Sequence, residues 1–381
     1  MMFRGTDRYP GAKYTEVLKV MGADSNASTS DDFTEFHIVG PASELGKMME
    51  LESDRFKNLK YDEEAFRTEA LAVLGEYNKD ASNPLQPVQE KLRDLAFSRH
   101  TYKHTVIGFL SDVKAMPGYY DYSKQFHQRF YRPENCILVV VGDVQPQQVF
   151  DLARRWYGDW QRGYQAPPVP SEPPQTAPRS GHLDWPTPIH PLLVEAWHIP
   201  AFSTRNVDAA ALDLIGQLLF SESAPLYQEV VNDKQWVDFL QGGADIHRDP
   251  YLFAIAARAK SDALVPQVRQ TVDRYLAELA ARPVEAARLE RIKAHLRHAF
   301  ALSLNTPAAV AFQVAQYLAL SGDVQSINRT FEQYQKVTPA DVQRLAAAVF
   351  RPDNETVVTL SHPGAKSAPP AGGNQGGGRH D

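Results

Sequence analysis

The chain has 381 residues, 43% hydrophobic and 23% charged, enough to bury a core and, at roughly 150 residues per domain, to form two or three domains. A net charge of −6 with mixed signs leaves no basic stripe, which argues against a nucleic-acid or anionic-membrane partner. The single cysteine, Cys136, excludes an internal disulfide framework and a thiolate-built metal site.

In chain order, residues 14–21 read as a helix, and 26–40 contain a strand in which Phe33, Glu35, His37 and Val39 alternate with Thr34, Phe36 and Ile38. The opening MMFRGTD has no apolar core of the kind a signal peptide carries. Helices are expected over 42–58 and 62–79, and again over 117–130 and 146–157, flanking a strand at 136–141. That strand, CILVVV, is among the longest apolar runs and is far short of the roughly 20 residues that cross a bilayer, so no membrane span is expected. Residues 164–191 hold nine of the 27 prolines and read as an ordered or semi-rigid linker. Beyond it come a strand at 192–199, a helix from about 208, and helices at 222–233, 265–281, 283–301, 306–320 and 338–349. A further strand is placed near 252–258. From 363 onward there is almost nothing to bury, and a disordered tail is expected.

The two halves repeat. YRPEN at 131–135 followed by the strand ILVVV recurs as FRPDN at 350–354 followed by TVVTL. Met1, Met2 and Phe3 pair with Leu218, Leu219 and Phe220, and the two anchors are almost equally spaced in both copies. The expected fold class is α+β: two homologous domains, each a mainly antiparallel sheet covered on one face by helices. The boundaries are 1–163, a proline-rich linker at 164–190, a second domain at 191–362 and the tail at 363–381. In the second copy, Leu218 lies near the end of a helix that follows a strand. The first copy starts at the position equivalent to Leu218, so its strand and most of its helix are expected to be missing.

Chemistry-bearing residues are sparse. On helix 62–79, Phe66, Ala70, Val73, Leu74 and Tyr77 form an apolar stripe, while Glu69 and Glu76 lie two turns apart on one face. Two turns is roughly 10 Å, too far for both carboxylates to hold one ion. By spacing alone they read as solvated helix carboxylates. His100 and His104 have i, i+4 spacing but sit in a stretch that reads as loop or strand. His295 and His298 share a helix with Lys293 and Arg297, a cationic setting that disfavours a metal. There is neither a phosphate-binding glycine loop nor a GxSxG elbow.

Six segments together carry a resemblance: MMFRGT (1–6), Gly22 followed by NASTSDDFTEF (26–36), SDRF (53–56), FRTEALAVLGEY (66–77), HTVIG (104–108) and YRPENCILVVVGDV (131–144). In this order they resemble the pitrilysin/insulinase family of zinc metallopeptidases over nearly the whole chain. The resemblance implies duplicated α+β domains, a zinc cofactor, and an H-x-x-E-H helix immediately before the MMFRGT-like segment. It assigns Glu76 as the distal zinc ligand, at the spacing such a ligand has from a histidine placed just before Met1, and Glu69 as a supporting glutamate. Asn26 and Ala27 match the segment whose strand edge pairs with an extended peptide substrate. In the second half, Asp213, Gly216 and Gln217 fall where the zinc motif would stand, so that copy is expected to be non-catalytic. Some members carry an Arg–Tyr pair in a later domain; the matching places here are Val231 and Asp238, which points to a homologous sister subunit or a homodimer.

The sequence holds no H-x-x-E-H. The expectation is therefore a chain truncated at its N-terminus, binding no catalytic zinc and cleaving nothing by itself, from a family of endopeptidases that act on unfolded peptides. The other reading is a non-catalytic partner supplying chamber wall and peptide-binding surface. A periplasmic or secreted location is expected, although the linker and lone cysteine fit a cytosolic protein as well.

Overall fold

The computed structural model describes residues 1–363. The first half opens with α1 (Gly11–Met21), which ends on Gly22 at φ 66°, the left-handed conformation that stops a helix. Strands β1 (Asp24–Thr29) and β2 (Thr34–Val39) follow as an antiparallel hairpin. Next come α2 (Leu45–Asn58), α3 (Glu63–Asp80), α4 (Leu85–Ala96), α5 (Leu110–Ala115), α6 (Tyr120–Phe130) and α7 (Pro146–Tyr157). The second half contains β3 (Arg179–Asp184), β4 (Leu192–Ile199), α8 (Asp208–Phe220) and a short α9 (Pro225–Tyr227) running into a π-turn. It continues with β5 (Val237–Ala244), β6 (Tyr251–Ala259), α10 (Val265–Ala281), α11 (Ala286–Ser303), α12 (Pro307–Ser321), α13 (Ser326–Lys336), α14 (Pro339–Val349) and β7 (Glu355–Ser361).

The second half is built on a five-stranded sheet of order β3-β7-β4-β6-β5, antiparallel except where the edge strand β3 runs parallel to β7. Central β4 reads LLVEAWHI and is buried almost throughout, so it needs cover on both faces. Leu193, Trp197 and Ile199 face a core completed by α8, α10 and α14. Leu192, Val194 and Ala196 face the other way, onto Val88, Leu92 and Ala96 of α4 from the first half. The expected one-sided cover is thus corrected: the second face is closed by a helix from the first half of the chain. Arg179 and His198, both in the sheet, bind the last carbonyls of α4 at 2.6–2.9 Å, satisfying acceptors that a helix end leaves free.

The proline-rich segment is not wholly a linker. Residues 179–184 form β3, and Gly181 lies so close under α4 that a Cβ there would meet Leu95 at 2.9 Å. Ahead of it, Glu172 accepts the backbone N–H groups of Ser98, Arg99 and His100 and the Ser98 hydroxyl. Burial opposes the Glu172 charge, but those four donors prevail and hold its carboxyl down at about 2. Beyond Pro363, the expected disordered tail lies outside the described residues.

The first half departs from expectation at 136–141. These residues join no ladder among the described residues, and Ile137, Leu138 and Val141 are 58%, 48% and 36% exposed. Their repeat counterpart, β7, is buried and paired on both sides. Likewise α6 buries no residue, whereas its counterpart α14 buries Val342, Leu345, Ala346 and Val349. The physical difference lies in the partners: β7 and α14 pack on β4 and α8, and the described first half contains no counterpart of either. Its sheet is the two-stranded β1–β2 hairpin.

Two measurements follow. In urea denaturation, Leu360→Ala should cost about 2–5 kcal/mol, while Val141→Ala at the repeat-equivalent place should stay within about 0.5 kcal/mol; equal costs would contradict the contrast. The second concerns Glu195 on β4, which is buried with neither carboxylate oxygen hydrogen-bonded and Arg269 Nε 3.1 Å away. Burial, then the charges of Asp273 and Glu355, push its carboxyl up to about 8. The folded chain therefore keeps a proton that the unfolded chain has released above its ordinary value of 4.5, and stability falls as pH rises through that window. Between about pH 5 and pH 9, Tm should drop less for Glu195→Gln than for the parent; parallel profiles would refute the assignment.

Candidate functional site

Helix α3 starts where the Asp62 side chain accepts the Ala65 N–H at 2.8 Å. Phe66, Ala70 and Tyr77 turn inward. Tyr77 donates to Glu90 at 3.0 Å, and burial together with that carboxylate pushes its hydroxyl up to about 12. This leaves Glu69 and Glu76 on an outward face, as their spacing predicts. Glu76 is exposed and has no hydrogen-bond or ion-pair partner among the described residues. Glu69 is half-exposed and forms an ion pair with Arg4.

The recognisable motifs converge on one side chain. Arg55, 1% exposed, is paired with Glu52 at 2.5 Å and lies 4.9–5.3 Å from the ring centres of Phe3, Phe36 and Tyr14. Beside it, the Thr6 hydroxyl donates to Asp54, and Tyr9 donates to Glu50 at 2.6 Å. Gly5 makes the turn at φ 94°; a Cβ there would sit 2.2 Å from the Tyr9 carbonyl oxygen. The MMFRGT, TEF and SDRF segments are therefore chiefly a packing unit, and it is this unit that carries Arg4 to Glu69.

Asn26 and Ala27 lie within β1, opposite His37 and Phe36 of β2. The other edge of β1 is unpaired among the described residues. At the hairpin tip, Asp31 meets Arg93 at 2.5 Å, and Asp32 accepts from the Tyr102 hydroxyl at 2.6 Å and the Arg248 N–H at 3.2 Å, with His247 Nδ1 at 3.0 Å. Burial works against the Asp32 charge; the bonds to His247, Tyr102 and Arg248 outweigh it and lower its proton affinity. Sequence reading missed this tie between the halves, since its members lie far apart along the chain.

The paired histidines sit in separate surroundings. His100 is buried, its Nδ1 accepting from the Tyr102 N–H at 3.1 Å, His104 Nδ1 lies 2.9 Å from the Thr105 carbonyl, and His295 and His298 are exposed on α11. In the second half, Asp213 accepts the Tyr334 hydroxyl, and Gly216 lets α8 approach Gly243 of β5. Val231 is half-buried in the π-turn, and Asp238 pairs with Arg258 at 2.6 Å. Among the described residues, the cluster of three acidic, histidine or cysteine side chains close enough to share an ion is Glu195, Asp273 and Glu355, with neither Glu69 nor Glu76 in it. One free carboxylate beside an arginine-paired one does not fit a tetrahedral zinc site, which draws on three or four nitrogen, sulfur or carboxylate donors.

Residues 1–108 match the family described as Insulinase (Peptidase family M16), and 120–296 match the Peptidase M16 inactive domain. The chain belongs to the M16 family. It is 27% identical to the zinc protease PqqE of Helicobacter pylori over 374 residues, covering 94% of this chain and 81% of that protein. The crystal structure of a protease from Helicobacter pylori superposes with a TM-score of 0.87 at 27% identity, covering 94% of this chain and 87% of the other. Over 174 residues, 46% of this chain and 36% of the relative, it is 25% identical to cytochrome b-c1 complex subunit 1 of Rattus norvegicus.

If Glu76 serves no structural purpose, Glu76→Gln should leave the unfolding free energy within about 0.5 kcal/mol of the parent. Glu69→Gln, which removes one side of a half-exposed ion pair, should cost no more than about 1 kcal/mol. A loss of several kcal/mol at Glu76 would make it a structural residue.

Proposed function

We propose that this chain is part of a zinc-dependent endopeptidase acting on unfolded peptides. It contributes Glu76 as a metal-ligating carboxylate, Glu69 as its support, and the open edge of β1 at Asn26 and Ala27 as a rail for an extended peptide. Backbone pairing along such an edge accepts varied sequences, which suits unfolded substrates. The imidazole ligands and the general base come from residues outside these 381, and without them the chain binds no catalytic zinc. The observation that carries the reading is the exposed, unengaged Glu76 on the same helix face as the Glu69–Arg4 pair. The bare apolar segment 136–141 supports it, since a strand and helix equivalent to β4 and α8 would cover that segment.

A second reading is a non-catalytic partner that pairs with a homologous sister subunit and supplies chamber wall. Two observations favour it: Arg4 already neutralises Glu69, and one relative is named as a subunit of a multi-protein complex.

Mixing the chain with a polypeptide that carries a strand followed by an H-x-x-E-H helix, and following zinc-dependent cleavage of an unfolded fluorogenic peptide, separates the two. The first reading expects cleavage that Glu69→Gln reduces by about 10–100-fold and Glu76→Gln reduces further. Cleavage untouched by Glu76→Gln would remove that residue from the ligand set, and failure of every such mixture would leave the partner reading.

A further inference from the structure

A cavity of about 410 Å³ lies between the tip of the β1–β2 hairpin and the second half, away from Glu69 and Glu76. Its size falls in the range of small-molecule sites, and junctions between domains are where such sites concentrate. The floor is apolar, from β4, α8 and α12, and its charged lining is one-sided. Asp32, Asp213 and Asp245 contribute carboxyl groups; the basic group is His247, which Asp32 already engages at 3.0 Å. Neither lysine nor arginine lines it. Phe202 and Tyr317, both lining it, meet edge to face with ring centres 5.6 Å apart. Negative ring faces beside carboxylates are the surroundings that an organic cation prefers over water, provided its stem is apolar enough to use the remaining wall.

We propose that this cavity binds a molecule bearing an ammonium or guanidinium group on an apolar stem, with Asp213 and Asp245 as counter-charges and the Phe202–Tyr317 pair as an aromatic wall. The hydroxyl of Tyr334 donates to Asp213 and orients its carboxylate. Burial raises the proton affinity of Asp213, so the cavity without a cation disfavours the charge that a bound cation would stabilise. The ligand group could belong to a free amine or to a basic side chain of a peptide. Because neither metal nor hydrolysis is involved, the proposal stands or falls separately from the peptidase reading.

Isothermal titration calorimetry of the full chain tests it with four probes: benzylamine, the tripeptide Ala-Lys-Ala blocked at both ends, benzyl alcohol and benzoate. Saturable one-site binding of either cationic probe, at least tenfold tighter than benzyl alcohol, is expected, with no binding of benzoate. Binding of benzylamine alone would point to free amines, and binding of the tripeptide alone to peptides. Asp213→Asn should weaken the cationic probes at least tenfold. Asp245→Asn, at an exposed position, should do the same and serves if the first variant fails to fold. Silence from both cationic probes, benzyl alcohol or benzoate binding as tightly as benzylamine, or full affinity in Asp245→Asn would overturn the proposal.

Discussion

An apolar strand buried on both faces must have a neighbour along each edge and a covering layer above and below. That constraint organises the second half of this protein. Its sheet is closed on one side by α8, α10 and α14 and on the other by α4, which the first half supplies. The two halves therefore share a core, and the hairpin tip is held to α4 by Asp31 and to the second half by Asp32, through His247 and the Arg248 N–H. The same constraint, unmet, explains 136–141: an apolar sequence as suited to a sheet centre as β7, left exposed because nothing in the described residues pairs with it.

Within the segments that carry the resemblance, some side chains pack and others face outward. The motifs that identify the family mostly surround Arg55, where aromatic rings and Glu52 offset the cost of burying a guanidinium group. They build a rigid platform for α2, α3 and the β1–β2 hairpin. The platform leaves outward Glu76, the Glu69–Arg4 pair and one edge of β1, the residues to which the proposed function assigns chemistry.

Much of the fold was legible because periodicity reports burial. Strand β4, helix α7 and helix α10 fall at the expected limits, each with a strong apolar pattern or a proline in its first turn. Helix α4 was missed although Leu85, Val88 and Leu92 recur at helical spacing, since Pro87 reads as a breaker unless it lies in the first turn. Helix α13 buries Ser326 and Thr330 rather than an apolar stripe, and β5 is interrupted by Gly242 and Gly243, so neither announces itself. Strand β3 hid inside a proline-rich stretch because its partner, β7, lies far along the chain. The shared face of Glu69 and Glu76 follows from helix geometry, whereas Arg4 at Glu69 and the Asp32 network depend on tertiary contacts that no local pattern encodes.

The proposed function rests on this chain supplying one corner of a metal site and not the remainder. Zinc content after equilibration with a slight excess of the ion and exhaustive dialysis addresses it most directly. The account predicts far less than one zinc retained per chain, unchanged in Glu76→Gln. Retention at full stoichiometry, abolished by Glu76→Gln, would mean that these residues complete a zinc site unaided, and the account would be wrong.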